Sequence, residues 1–337
     1  MQPNNIISKT NSLILKGLGI LLMLFHHLFY SQSSTSLFWD YHIHVGSQNI
    51  GVINQLAICA KLCVAIFVFV SGYGLETSFL NDPKIKILPF YTRRFKKLYL
   101  NYWFIWLLFV PIGIFVFGRT PADAYGNHAI IKMILDFFGL INMVGIYGYN
   151  PTWWFYSCII LLYLGFPVLH RWLTNKWILL VSLGILVPQL AGLPIVTPIS
   201  NYLFAFLAGM WIARIPTSAF DNIRIVDAVV TFILLSVMRC FTSMVFVVDT
   251  LLVITIAIIL YKAKFENWLM TVLVHLGKHS QNIFLFHTFI YLYWFRNEIY
   301  ITHNPLIIFI QLTVICYLIS VVIEYFKQKI GFYKLCK

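Results

Sequence analysis

Two histidines and a lysine stand in the otherwise hydrocarbon-like stretch ILKGLGILLMLFHHLFY, residues 14–30. Ionisable groups are costly inside a bilayer and are kept there for a partner or for chemistry. The spacing from Lys16 to His27 is about three helical turns plus 20°, so the two share a face roughly 16 Å apart along the axis. His26 points about 80° away from Lys16. An imidazole titrates near neutrality and can take up or hand on a proton. Two readings of this face are open. Either Lys16 reaches back to the membrane surface while His27 is hydrogen-bonded in the core, or the pair looks into the helix bundle and serves a site.

A second constellation is ILPFYTRRFKKLYLNYW, residues 87–103. Arg94 and Lys97 are three apart and share a helix face, with Arg93 and Lys96 as a neighbouring pair. Tyr91, Tyr99 and Tyr102 interleave aromatic surface. Such a cluster suits a polyanion with a ring to stack, because Arg forks onto phosphate and Lys adds point charge. It also suits a topology anchor that contacts lipid headgroups. Two further residues lie deep in apolar runs. Lys61 is roughly 13 Å from the start of its run at residue 52, too deep to snorkel easily, which predicts a polar cavity or an internal partner. His287, in LGKHSQNIFLFHTF (276–289), lies roughly 13 Å beyond Lys278, and packing and catalysis are equally open to it.

The elements that carry these residues follow from composition. The chain has 337 residues, 60% hydrophobic and 10% charged, with mean hydropathy +0.83. Soluble domains carry about 25% charged residues, so a polytopic membrane protein is expected. Apolar runs fall near 12–31, 52–76, 98–117, 153–170, 177–193, 199–213, 225–242, 244–261, 280–295 and 305–326. The expected fold is therefore all-α, with about ten transmembrane helices and both termini cytoplasmic, as one integral domain over residues 1–337. Residues 128–147 contain Lys132, Asp136 and Asn142 and read as an outer-side or re-entrant element rather than a span.

The charge of +13 is a topology signal and not a nucleic-acid signal. With 128–147 not crossing, Arg119, Lys132 and Arg296 lie outside, Lys61 lies within a helix and Arg239 at an outer helix end. The other nineteen of the 24 Lys and Arg fall inside, as the positive-inside rule asks. No cleavable signal peptide is expected, since the first apolar run is too long. The six cysteines lie mostly in apolar helices and read as small core residues, with no disulfide and no metal expected.

In these segments the chain resembles acyltransferase family 3, membrane proteins that modify cell-surface glycans. The family's first span carries a basic residue, ten residues, then histidine, here Lys16 and His27, with Lys in place of the commoner Arg. Its third span opens with Arg-x-x-Arg and an aromatic run, here Arg94-x-x-Lys97. FVFVSGYGL (67–75) is similar to the family's Ser-Gly-aromatic segment. TWWFYSCIILLYLGFPVL (152–169), FAFLAGM (204–210) and LGKHSQNIFLFH (276–287) follow in the family's order.

The resemblance implies that a cytoplasmic acyl-coenzyme A, usually acetyl-CoA, donates its acyl group to a hydroxyl of a surface or lipid-linked sugar at the plasma or inner membrane. Arg94 and Lys97, helped by Arg93 and Lys96, would hold the phosphates of coenzyme A. Lys16 would stand near the thioester arm, and His27 would act as general base or transient acyl carrier. Lys61 and His287 are further candidates for contact with substrate. Two rival classes are weighed against this. A secondary transporter or lipid flippase would use Lys61, His27 and His287 as a substrate or proton path, and a glycan polymerase would concentrate basic residues in outer loops. Neither inverted repeats nor a basic outer surface is evident.

Overall fold

A computed structural model describes residues 6–30, 47–81, 86–172, 196–242, 245–263 and 267–335, and among them there is helix, turn and loop but no strand. The helices are α1 (Lys9–Phe29), α2 (Ser47–Ala60), α3 (Leu62–Leu80) and α4 (Ile87–Phe115). Two short ones follow, α5 (Pro121–Tyr125) and α6 (Ala129–Phe137), then α7 (Trp154–Trp172) and α8 (Val196–Arg214). The rest are α9 (Ser218–Asp221), α10 (Ile225–Arg239), α11 (Val245–Ala263), α12 (Trp268–Thr288), α13 (Arg296–Tyr300), α14 (Pro305–Lys329) and α15 (Phe332–Leu335). In hydrocarbon a helix satisfies its own backbone polar groups, which is why apolar runs of this length adopt it.

Among the described residues, six stretches are long and apolar enough to cross a membrane: Lys9–Phe29, Gly51–Leu80, Ile87–Phe115, Pro151–Arg171, Val245–Ala263 and Pro305–Lys329. They coincide with six of the ten expected runs. The run at 177–193 lies outside the described residues. Those at 199–213 and 225–242 fall on α8 and on the 15-residue α10. The run expected to begin at 280 starts earlier: α12 is helical from Trp268, so Lys278 stands at its middle and not at its end. Its polar centre, from Lys278 to Asn282, conceals the helix from a hydropathy reading, yet its side chains have partners on neighbouring helices.

The chain forms two compact units, one of residues 1–23, 59–85 and 158–278, the other of 24–58, 86–157 and 279–337. In the first, small residues bring backbones together. A Cβ on Gly72 would overlap the carbonyl of Phe206 on α8, and one on Gly209 that of Phe69 on α3. The same reciprocity joins α1 and α12, where Gly17 abuts Leu273 and Gly277 abuts Leu13. Close approach of this kind holds helices together where lipid removes the hydrophobic drive between them. Buried charges tie the same unit. Arg214 donates to Glu76 at 2.6 Å and to the His170 carbonyl at 2.9 Å, and Arg239 donates to Asp249 at 2.6 Å.

In the second unit, the segment after α4 folds back along it. Thr120 and Asp123 form a capping box that starts α5. At the far end of the segment, the Arg119 guanidinium donates to the Tyr149 carbonyl at 2.7 Å and the Tyr149 hydroxyl to the Arg119 carbonyl at 2.6 Å. The tip is held halfway down α4. Trp103 donates to the Phe137 carbonyl at 2.9 Å and stacks on its ring, and Tyr99 donates to the Phe138 carbonyl at 3.0 Å. Asp136 is fully buried and accepts from Tyr125 at 2.6 Å and from the Tyr149 N–H at 2.8 Å, while its carbonyl takes the Tyr102 hydroxyl at 2.5 Å. The segment from Arg119 to Tyr149 is thus a folded-back hairpin along α4, its two ends bonded to each other.

Candidate functional site

Adjacent in α1, His26 and His27 point in different directions. Nδ1 of His26 lies 2.7 Å from the carbonyl of Ala57 on α2, and its ring stacks on Tyr30 at 4.7 Å. A carbonyl only accepts, so this Nδ1 carries hydrogen and its bond joins two helices. His27 is half-buried, and its ring lies 5.1 Å from that of His287 and 6.5 Å from that of Tyr291. The two histidines singled out in the sequence are therefore neighbours. Lys16 is half-buried on the same unbroken helix, three turns before His27.

His287 is fully enclosed, at 0% exposure. Its Nδ1 lies 3.1 Å from the carbonyl of Ile283 and 2.9 Å from that of Phe284, and its Nε2 is 3.3 Å from the Thr288 hydroxyl. Directly after it the helix widens into a π-helical turn, Phe289–Trp294. Such turns shift the backbone pairing and recur at functional sites. The loop before α7 grips the helix at this point: Asn150 Nδ2 and Trp153 Nε1 both donate to the Leu285 carbonyl, at 3.1 and 2.9 Å. Thr152 Oγ1 faces Thr288 Oγ1 at 3.4 Å.

The cationic cluster opens α4. Arg93, Lys96 and Lys97 are exposed, and half-buried Arg94 lies over the Phe90 ring at 5.5 Å. The aromatic residues near it differ from expectation. Tyr102 is fully buried against Asp136 and stacks on Tyr156 at 4.5 Å, and Tyr99 is bonded to the hairpin tip. Tyr91 and Tyr99 flank Phe95 between the cations, at 5.6 and 6.3 Å. Lys61 stands at the junction of α2 and α3 with an exposed side chain, near enough to Asp249 for their charges to interact.

The sequence reading missed the polar network around Lys327, which it had counted among the basic residues at the inner membrane face. The side chain is fully buried. Its Nζ bonds Asn101 Oδ1, Asn282 Oδ1 at 2.7 Å and Glu324 Oε1 at 3.2 Å, and lies over the rings of Phe104 and Phe332. Asn282 also donates to Ser320 at 3.1 Å and to Glu324 at 2.7 Å, and Tyr333 donates to Glu324. The network ties α14 to α4, which carries the cations, and to α12, which carries His287. Glu76 and Asp249, given no role from sequence, turn out to be the buried anions of the first unit.

The long apolar helices mark a multi-pass membrane protein. The family model described as an acyltransferase domain matches residues 13–325, and the chain belongs to acyltransferase family 3. Comparisons with curated proteins and with solved structures found no match.

Proposed function

We propose that the protein moves an acyl group, acetyl by preference, from cytoplasmic acyl-CoA to a hydroxyl of a cell-surface or lipid-linked polysaccharide sugar, in the plasma or inner membrane. The observation that carries this reading is the contact of His27 with His287 and Tyr291, on a helix that also bears Lys16. Exposed Arg93, Lys96 and Lys97, with Arg94, hold the phosphates of coenzyme A by charge-assisted hydrogen bonds. Lys16 meets the thioester arm. Exposed Lys61 belongs to the acceptor side, and no metal is called on.

His27 takes the proton of the sugar hydroxyl while that oxygen bonds to the thioester carbonyl carbon. The C–S bond then breaks, and the imidazolium returns the proton to the departing thiolate. The same ring could instead carry the acyl group for one step, with the thiolate leaving before the sugar attacks. The test is transfer of label from acetyl-CoA to polysaccharide in membrane vesicles containing the protein. Transfer by the wild type and none by His27→Ala supports the reading. No transfer by the wild type, or an unimpaired His27→Ala, sinks it. Calorimetry checks the donor site: Arg94→Ala and Lys97→Ala should each weaken coenzyme A about tenfold, the effect of one charge-assisted hydrogen bond. Unchanged binding in both would leave the cluster as a topology anchor.

A further inference from the structure

The geometry around His287 points to a role for it behind His27 rather than toward a substrate. Both carbonyls beside Nδ1, those of Ile283 and Phe284, can only accept, so Nδ1 carries the hydrogen. In the neutral ring the lone pair then sits on Nε2. Thr288 is the near hydroxyl, 3.3 Å from Nε2, but its hydrogen has a competing partner. Thr152 commits its own hydrogen to Asn150 Oδ1 at 2.7 Å, so across the 3.4 Å contact between the two threonines it is Thr288 that donates. The Thr288 hydrogen is thus divided between two acceptors at similar distance, and the ring that stands beside Nε2 is His27, at 5.1 Å between centroids. The two histidines also differ in access: His287 is fully enclosed, while His27 is half-buried and can meet a substrate.

We propose that His287 is a positioning residue: it accepts a hydrogen bond at Nε2 from His27, sets the tautomer of His27, and shares the imidazolium charge formed when His27 takes the hydroxyl proton. A carboxylate holds the catalytic histidine in a Ser-His-Asp set, and here a second imidazole with its own tautomer dictated by two carbonyls does that work. The grip of Asn150 and Trp153 on Leu285 holds the helix that presents it. No bond to the acyl group involves His287, and no proton is lost from the pair over a cycle. The inference rests on the acyl-transfer reading above.

The experiment compares full-length variants in membrane vesicles, with labelled acetyl-CoA as donor and the native polysaccharide as acceptor. His287→Phe keeps the ring volume and removes the acceptor. It should lower the maximal rate about 100-fold, on the scale of a general-base effect, with KM for acetyl-CoA within about twofold. His287→Gln offers Oε1 near the place of Nε2 and should remain within about tenfold of wild type. If His287→Phe does not fold, His287→Met against His287→Gln gives the same contrast. A full rate in the variant without an acceptor, or equal loss in it and His287→Gln at equal folded protein, overturns the proposal. With wild type active and His27→Ala dead, that failure leaves the acyl-transfer reading standing. An inactive wild type takes down both.

Discussion

At the scale of single residues, direction decides between His26 and His27, which share one depth in the membrane. His26→Ala loses one bond to Ala57, worth about 1 kcal/mol of stability, and should keep most acyl transfer. His27→Ala should lose roughly 10²–10⁴-fold. The reverse pattern in the vesicle assay would place the site on the other face of α1. The difference in direction was legible from spacing alone, because a helix has a known turn per residue. Lys327 was not legible. Its partners Asn101 and Asn282 stand 226 and 45 residues away in the chain, and a lysine at a helix end looks like an anchor until that packing is seen. Lys327→Met should destabilise the protein by about 3 kcal/mol in a denaturant titration, since it removes one partner of a buried pair and strands the others. A loss below about 0.5 kcal/mol, the size of a surface change, would mean that water replaces the ammonium there.

At the scale of helices, two glycines one turn-fraction apart in α3 make opposite predictions. Gly72 meets the Phe206 backbone, while a Cβ on Gly74 would meet nothing within 4 Å. Gly72→Ala should lower the melting temperature measured in detergent, by forcing α3 and α8 apart. Gly74→Ala should hold or raise it, since alanine is the better helix former by about 1 kcal/mol. Equal melting temperatures for the two variants would contradict the close approach. That small residues at 71–74 permit helix contact could be read from the sequence; which of them makes it could not. The start of α12 shows the opposite limit. A hydropathy reading ends where polarity begins, and Lys278 to Asn282 are helical because His279 and Asn282 bond Ser320 on α14.

At the scale of the whole molecule, the helical class could be read from hydropathy, but the place of the 128–147 segment along α4 could not, because Trp103 and Phe137 are joined by tertiary contact. Orientation is open to a direct test. Lys96→Cys should react with a membrane-impermeant maleimide only in inside-out vesicles, and labelling in right-side-out vesicles would invert the donor side and end the coenzyme A assignment.

The division of the chain also dictates an order of assembly. Each unit draws on three separated stretches, and the first unit lacks a third of its chain segments until residues 158–278 have been made. The second waits longer still, for residues from 279 onward. During synthesis, which proceeds at about 5–20 residues per second, α1 therefore sits in the membrane for many seconds before α12 and α14 arrive. His27 reaches the bilayer among the earliest residues and meets His287 among the last. A ribosome stalled once residue 278 has emerged would leave a nascent protein with one unit complete and an imidazole still waiting for its neighbour, a species that quality-control proteases should recognise by its unsatisfied polar groups.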